Sequence, residues 1–358
     1  MAAHFHSLKI KEVTRETPDC VSLNFEVPQT LWKEFAYREG QNITIKATLN
    51  GEELRRSYSI CAAPFEGELK VAIKAADGGR FSRYAQTLKA GEILEVLPPV
   101  GKFNARLQPV KGHYLALVAG SGITPVLSIL KHTLHTQPQS SFTIIYGNKN
   151  RKSIIFFEEL EALKNKYLER LNFIHILSRE KTDALLNYGR IGPAKIKELQ
   201  AIIDFSKFDS VYICGPEEMI FESSVYLQSL GYPEKNIHFE LFTTPGQLEK
   251  QKEDFKKEAV KDQGPRSSIT VKLDGRSFSF DLSKKGQSIL DAALAQGADL
   301  PFACKGGVCS TCKAKLVSGE VNMDVNYALE PEEVEQGYIL TCQSHPVSEN
   351  VVVDYDVK

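Results

Sequence analysis

Four cysteines near the C-terminus constrain this chain more tightly than any other feature. Cys304, Cys309 and Cys312 lie within CKGGVCSTC and Cys342 follows in ILTCQSHP, giving C-x4-C-x2-C, 29 intervening residues and a final C. That spacing matches the plant-type [2Fe–2S] pattern, in which four thiolates hold two tetrahedral irons. Gly306, Gly307 and Ser310 let the loop wrap closely, so that backbone N–H groups can face the sulfurs and stabilise the reduced cluster's charge. Two plainer readings compete. A structural zinc site usually brings a second CxxC-type knuckle, which is missing here. Thiols buried only for packing would not concentrate in a glycine loop between a helix and a strand. Sites of the plant type have low potentials, on the order of −400 mV.

Such a loop needs a scaffold, and residues 268–358 read as one. SITVKLDG, SFSFDL, AKLVSGEV and VVVDYDV are expected strands, and SILDAALAQG is an expected helix entering the cysteine loop. A chain of 358 residues has room for further domains upstream. Residues 1–108 carry short runs: LKIKEVTRET, VSLNFEVP, QNITIKATL, RRSYSICAAP, LKVAIKAAD and ILEVLPP. NG at 50–51 joins two of them as a hairpin, and DGG at 77–79 marks another turn. Many short strands without a long helical pattern predict an antiparallel barrel. Over residues 109–243 the strands HYLALVAG, SFTIIYG, FIHILS, SVYICG and IHFELF alternate with the helical patterns TPVLSILKHTL, FFEELEALKNKYL and PAKIKELQAII. That alternation predicts a parallel sheet with helices on both faces. Residues 244–267 read as a charged, solvated linker. The expected fold class is therefore multidomain: an antiparallel β-barrel, an α/β parallel-sheet domain and an α+β domain of plant-type ferredoxin character.

Net charge is −1, but it is unevenly divided. From Ser268 onward 13 Asp/Glu face 8 Lys/Arg, a net of −5, which leaves the rest at +4. A mildly basic body with an acidic tail domain suggests charge-guided docking between protein surfaces. Glu330, Glu332, Glu333 and Glu335 form an acidic run before Cys342 that suits a basic partner surface, although a solvated turn would look the same. No basic stripe with interleaved aromatics suggests nucleic acid, and no apolar run suggests a membrane span. The N-terminal residues lack the pattern of a secretory signal, and the cysteines do not form an evenly spread disulfide framework, so the cytoplasm is the expected location.

Three upstream motifs stand where ligands gather. R-S-Y-S comprises Arg56, Ser57, Tyr58 and Ser59, and GRFS follows with Gly79, Phe81 and Ser82. GSGITP at 120–125 lies between a strand and a helix, where N–H groups and the helix dipole favour phosphate; it is not GxGxxG, and a tight turn would share its look. CGPEEM at 214–219 ends a later strand. In this order, with the C-terminal cysteine loop, the motifs resemble the ferredoxin–NADP reductase superfamily with an appended plant-type ferredoxin. The domain order resembles the reductase subunits of phenylacetyl-CoA epoxidases and their oxygenase-reductase relatives, over nearly the whole chain.

The resemblance implies FAD on the barrel and NADPH, with NADH possible, on the parallel sheet. It implies Arg56 and Ser82 at the FAD pyrophosphate, Tyr58 against the flavin or its ribityl chain, and Ser59 near flavin N5, with Ser57, Gly79 and Phe81 flanking them and Lys74 at the flavin edge. It implies Gly120, Ser121, Gly122, Thr124 and Pro125 at the dinucleotide, and Ser178 and Arg179 at the adenosine 2′-phosphate. Glu180 beside them would favour NADH if it met the ribose instead. Cys214, Gly215, Pro216 and Met219 would lie beside the nicotinamide, and Ser59, Cys214 and Glu240 are the implied catalytic positions. Cys20 and Cys61 read as core thiols, and His4, His6, His132 and His135 as surface residues.

Electron counting joins these parts. A nicotinamide gives two electrons as hydride, an iron–sulfur cluster takes one, and a flavin can do both. The expected path is NADPH, FAD, [2Fe–2S] and then an oxygenase component, by resemblance that of phenylacetyl-CoA 1,2-epoxidase. Reductases of Rieske-type or other oxygenases, or of a small ferredoxin, are alternatives. A non-catalytic redox-sensing carrier is a rival of another class.

Overall fold

The computed structural model describes residues 4–103, 111–242 and 265–357. The first unit contains β1 (His6–Thr17), β2 (Cys20–Glu26), β3 (Asn42–Leu49), β4 (Glu52–Ser59), β5 (Leu69–Lys74) and β6 (Ile93–Val96). They run in the order β4-β3-β6-β1-β2-β5 with every pairing antiparallel. An Ile60–Val71 bridge joins the two outer strands and closes the barrel. The β3–β4 hairpin turns at Asn50 and Gly51, both at positive φ (53° and 77°), as the sequence NG predicts. Leu8, Ile10, Leu23, Ile43, Ile45 and Ile73 fill the interior. One helix of this unit escaped the sequence reading. After the turn at 77–79 comes α1 (Arg80–Ala85), whose six residues are too few to show a 3.6-residue period.

The second unit is a five-stranded parallel sheet of β7 (His113–Ala119), β8 (Ser141–Asn148), β9 (Leu171–Leu177), β10 (Ser210–Gly215) and β11 (Ile237–Leu241), ordered β11-β10-β7-β8-β9. Alternate residues of β7 serve different cores. Tyr114, Ala116 and Val118 pack with α2 (Ile123–Thr136), while Leu115 and Leu117 join the core that includes α4 (Pro193–Leu199) and α5 (Glu217–Ser229). A further helix, α3 (Phe157–Lys166), connects β8 to β9. Chain order reverses on either side of β7, so a crevice opens past the C-terminal ends of β7 and β10.

The third unit begins earlier than expected, since Arg266 and Ser267 already belong to β12 (Arg266–Leu273). The expected boundaries at 108/109 and 243/244, and linker residues 244–264, lie outside the described residues. β12 joins β13 (Arg276–Ser283), β14 (Lys313–Ser318), β16 (Tyr338–Leu340) and β18 (Asn350–Asp354) in a mixed sheet, with β15 (Val321–Met323) and β17 (Ser344–Pro346) paired beside it. The helix α6 (Ile289–Ala295) is capped by the Ser288 hydroxyl, which accepts from the Asp291 N–H at 3.2 Å. A short helix, α7 (Pro331–Glu335), precedes β16. Among the described residues no helix is long and apolar enough to cross a membrane.

Candidate redox site

The four clustered cysteines meet between α6 and β14 and at the end of β16. Their thiols influence one another most strongly in two pairs, Cys304 with Cys309 and Cys312 with Cys342, and each pair also feels the other. Among the described residues no three His, Cys, Asp or Glu side chains gather to hold a single metal ion. Two thiol pairs suit two irons, each needing two thiolates beside bridging sulfides, so the residues present fit a [2Fe–2S] cluster. Their mutual interaction lowers the Cys309 thiol, toward the thiolate form that metal ligation requires, and raises that of Cys304. The loop is bent to match: Lys305, Gly307 and Ser310 all have positive φ, which turns the Gly306 N–H onto the Cys304 sulfur at 3.3 Å.

The expected catalytic trio does converge. Ser59 ends β4, and its Oγ donates to Glu240 Oε2 at 3.0 Å across the junction of barrel and parallel sheet. Glu240 on β11 is the register partner of Cys214 on β10. Burial pushes the Glu240 carboxyl up to about 8 despite the bond from Ser59, and the Cys309 sulfur adds to the rise. The cysteine loop of the third unit thus stands within electrostatic range of the same point. Cys214 is fully enclosed; burial, reinforced by Glu240, holds its thiol well above the usual range, so it stays neutral and contributes shape rather than a nucleophile.

Around this point two loops cross. A Cβ on Gly122 would lie 2.1 Å from the Cys214 carbonyl oxygen, so only glycine lets the 120–122 turn approach the end of β10. The neighbouring Gly120 faces open space, with nothing within 4 Å of the position a Cβ would take, and this leaves a cradle above the strand ends. Thr124 Oγ1 donates to the Ser121 carbonyl at 3.0 Å, and Pro125 lies buried in the first turn of α2. Gly215 and Pro216 lead into α5, and Met219 is buried beneath them.

On the barrel side, alternation along β4 divides the R-S-Y-S motif between two faces. Tyr58 lies 5.7 Å from the Phe81 ring, and Arg56 donates from Nη1 to the Arg55 carbonyl at 2.7 Å. Ser57 points the other way, its hydroxyl 3.1 Å from that of Thr44, which in turn lies 3.2 Å from the hydroxyl of Thr311 in the cysteine loop. The Ser57 side chain therefore faces the iron–sulfur unit, not the Arg56–Tyr58 face where the flavin was expected. Two other expected contacts also change character. Phe81 is only 1% exposed and packs in the barrel core beneath Tyr58. The Ser82 hydroxyl accepts from the Ala76 N–H at 3.1 Å and donates to the Gly79 carbonyl at 3.3 Å, which fixes the turn and leaves backbone N–H groups at the start of α1. Lys74 ends β5 and pairs with Asp19 at 3.7 Å. Arg56, Tyr58 and the start of α1 fit a dinucleotide flavin, with one guanidinium and several amides for its pyrophosphate.

The adenosine end was only partly legible in the sequence. Arg179 lines a cleft of about 630 Å3 together with Arg151 and Lys152, neither of which stood out. A signal existed: residues 149–152 follow β8 and 178–180 follow β9, and neighbouring parallel strands bring such loops together. Ser178 is tied to the Asn148 carbonyl through both its N–H, at 2.9 Å, and its hydroxyl, at 3.3 Å. Glu180 accepts from the Arg151 backbone N–H at 2.9 Å, so its carboxylate is engaged by the protein.

Three family profiles match in sequence order: an oxidoreductase FAD-binding domain over residues 7–105, an oxidoreductase NAD-binding domain over 117–224, and a 2Fe-2S iron-sulfur cluster binding domain over 271–347. The chain is 48% identical over 357 residues to a 1,2-phenylacetyl-CoA epoxidase subunit of Escherichia coli (strain K12), covering 99% of this chain and 98% of that protein. It is 32% identical to the ferredoxin reductase component of 3-ketosteroid-9-alpha-monooxygenase of Rhodococcus rhodochrous, covering 97% and 96%. Among solved structures, phthalate dioxygenase reductase shares the fold across 98% of both chains, with a TM-score of 0.56 and 23% identity.

Proposed function

Because the chain belongs to the ferredoxin–NADP reductase-like family of FAD-, nicotinamide- and [2Fe–2S]-binding oxidoreductases, we propose that it carries electrons from NADPH through FAD and a [2Fe–2S] cluster to the oxygenase component of a phenylacetyl-CoA 1,2-epoxidase. The observation that carries this reading is the 3.0 Å Ser59–Glu240 contact beside Cys214, within range of Cys309, where elements of all three units meet. When bound, FAD would supply the exchange between a two-electron hydride donor and a one-electron iron–sulfur acceptor.

The chain's own residues position and shield. Arg56 and the N–H groups opening α1 hold the flavin pyrophosphate, and Tyr58 lines its ring or ribityl chain. Ser59 and Glu240 hold a proton between barrel and sheet, and neutral Cys214 sets the depth at which the nicotinamide stops. Cys304, Cys309, Cys312 and Cys342 ligate the two irons. Arg179, with Arg151 and Lys152, receives the adenosine 2′-phosphate, and the engagement of Glu180 by the Arg151 N–H supports NADPH over NADH as donor. A cytoplasmic setting belongs to this proposal, since seven unpaired cysteines suit a reducing compartment. The domain limits 1–108, 109–243 and 268–358, with a linker over 244–267, belong to this proposal, with the start of the third moved to Arg266 where β12 opens.

Anaerobic titration of the purified protein with NADPH and then NADH, followed by absorbance and electron paramagnetic resonance, tests the internal path. The expected result is flavin bleaching followed by a rhombic reduced-cluster signal, with NADPH the better donor. Bleaching without a cluster signal would overturn the path, and no bleaching would favour the non-catalytic carrier. NADPH-driven epoxidation of phenylacetyl-CoA by a reconstituted oxygenase component, compared with turnover by a Rieske-type oxygenase, tests the acceptor.

A further inference from the structure

Arg55 and Arg56 are neighbours in sequence, yet alternation along β4 sends them to opposite faces. Arg55 is only 7% exposed, and its partners are unusually many for one side chain. Its Nε donates to Glu53 Oε1 at 2.7 Å within the hairpin, which fixes the guanidinium plane. Nη1 then donates to the Leu300 carbonyl at 3.1 Å, and Nη2 to Asp299 at 3.2 Å. The guanidinium carbon sits 4.3 Å from the centre of the Phe302 ring and 5.0 Å from that of Phe5. Leu300, Asp299 and Phe302 belong to the segment that runs from α6 into Cys304.

We propose that Arg55 is the positioning residue that clamps the iron–sulfur domain onto the flavin barrel, holding the cysteine loop against β4 for electron transfer. The inference rests on the reading that electrons leave the barrel through the third domain. A guanidinium can do this because its planar fork satisfies a carbonyl and a carboxylate while its face stacks on an aromatic ring. The carbonyl and the ring are the anchors; Asp299 is 87% exposed, so its share of the ion pair is screened by water. The Thr44–Thr311 hydroxyl contact at 3.2 Å sets the register beside the clamp, and Lys102 meets Glu333 on α7 at 2.8 Å farther along the same seam.

The Lys102–Glu333 pair provides a readout that needs no turnover. Zero-length carbodiimide coupling of the full chain, followed by peptide mass spectrometry, should join these two side chains in the unsubstituted protein. In Arg55→Ala the yield should fall about fivefold or more, with Arg55→Lys between the two and Asp299→Asn close to the parent. Stopped-flow mixing with NADPH should show the cluster-reduction phase slowed about tenfold or more in Arg55→Ala, while the flavin-reduction phase, which also reports an intact barrel, stays within about twofold. Parental coupling yield and parental cluster-reduction rate in Arg55→Ala would overturn the clamp. Failure of NADPH to reduce the flavin in the unsubstituted chain would instead strike the proposed function, and the coupling yields would still judge Arg55.

Discussion

The barrel touches its two neighbours in very different ways. Toward the parallel sheet it shares a core: Cys20, Cys61, Ala72 and Phe103 pack in one continuous cluster with Tyr114, Val118, Ile123 and Leu127. Ser128 Oγ donates to the Ala62 carbonyl at 2.6 Å, and the nearly enclosed Lys131 binds Glu66 of the barrel at 2.7 Å and Glu159 of α3 at 2.9 Å. Toward the iron–sulfur domain the contact is made by polar and charged side chains: Arg55, Thr44 with Thr311, Lys102 with Glu333, and His4 with Asp274 at 3.3 Å. The iron–sulfur domain closes its own core from residues 269–355. One junction is built like a domain interior and the other like a transient interface. The difference follows the chemistry, since hydride transfer needs a fixed geometry, whereas a cluster that delivers electrons elsewhere needs a seat it can leave.

The largest expected effect breaks one side of this comparison outright. Cys342→Ser should abolish the reduced-cluster resonance signal while NADPH still bleaches the flavin; loss of both would mean that the two junctions are not independent. Next, Lys131→Met should strike only the fused side. Removing the cation leaves two partly buried carboxylates without their shared ion pair, Glu66 keeping only the Ala63 N–H, for a cost of about 2 kcal/mol given their partial exposure, read as a lower urea midpoint at unchanged slope.

Glu240 sits where the junctions meet and sharpens the comparison through pH. Its folded carboxyl is raised from 4.5 to about 8, so the stability gained from holding the proton is complete below about 4.5 and is lost as pH rises through about 8. The melting temperature should fall by a few degrees between pH 6 and pH 9, and Glu240→Gln should flatten that slope. The smallest effect belongs to the seam itself. Lys102→Ala, or a rise in salt from about 0.05 to 0.5 M, should weaken docking by no more than about 1 kcal/mol and leave the urea midpoint of the fused pair unmoved.

Much of this was legible in the sequence because the signals were local. The barrel strands, the NG hairpin and the alternation of the parallel sheet follow from residue type and period. The cysteine spacing fixes the cluster loop, and the motif ends at Ser59, Cys214 and Glu240 do meet. What escaped depends on partners far apart in the chain. Glu333 reads as one more carboxylate in an acidic run, yet it is 5% exposed and held by Lys102 and Lys313. Arg151 and Lys152 gain meaning only once β8 and β9 lie side by side. Ser57 sits inside a flavin motif but serves the opposite face.

The turn at Asn50 and Gly51 has a consequence of its own. It sets the β3–β4 register, pairing Lys46 with Arg55 and Ile45 with Arg56. Side chains on a strand alternate, so inserting or deleting one residue in this hairpin, if it slid the pairing by a step, would exchange the two guanidiniums and Ser57 with Tyr58 in a single move. In the proposed scheme two adjacent residues thus carry separate addresses, one for a cofactor and one for a domain, and a two-residue turn keeps them from being delivered to the wrong side.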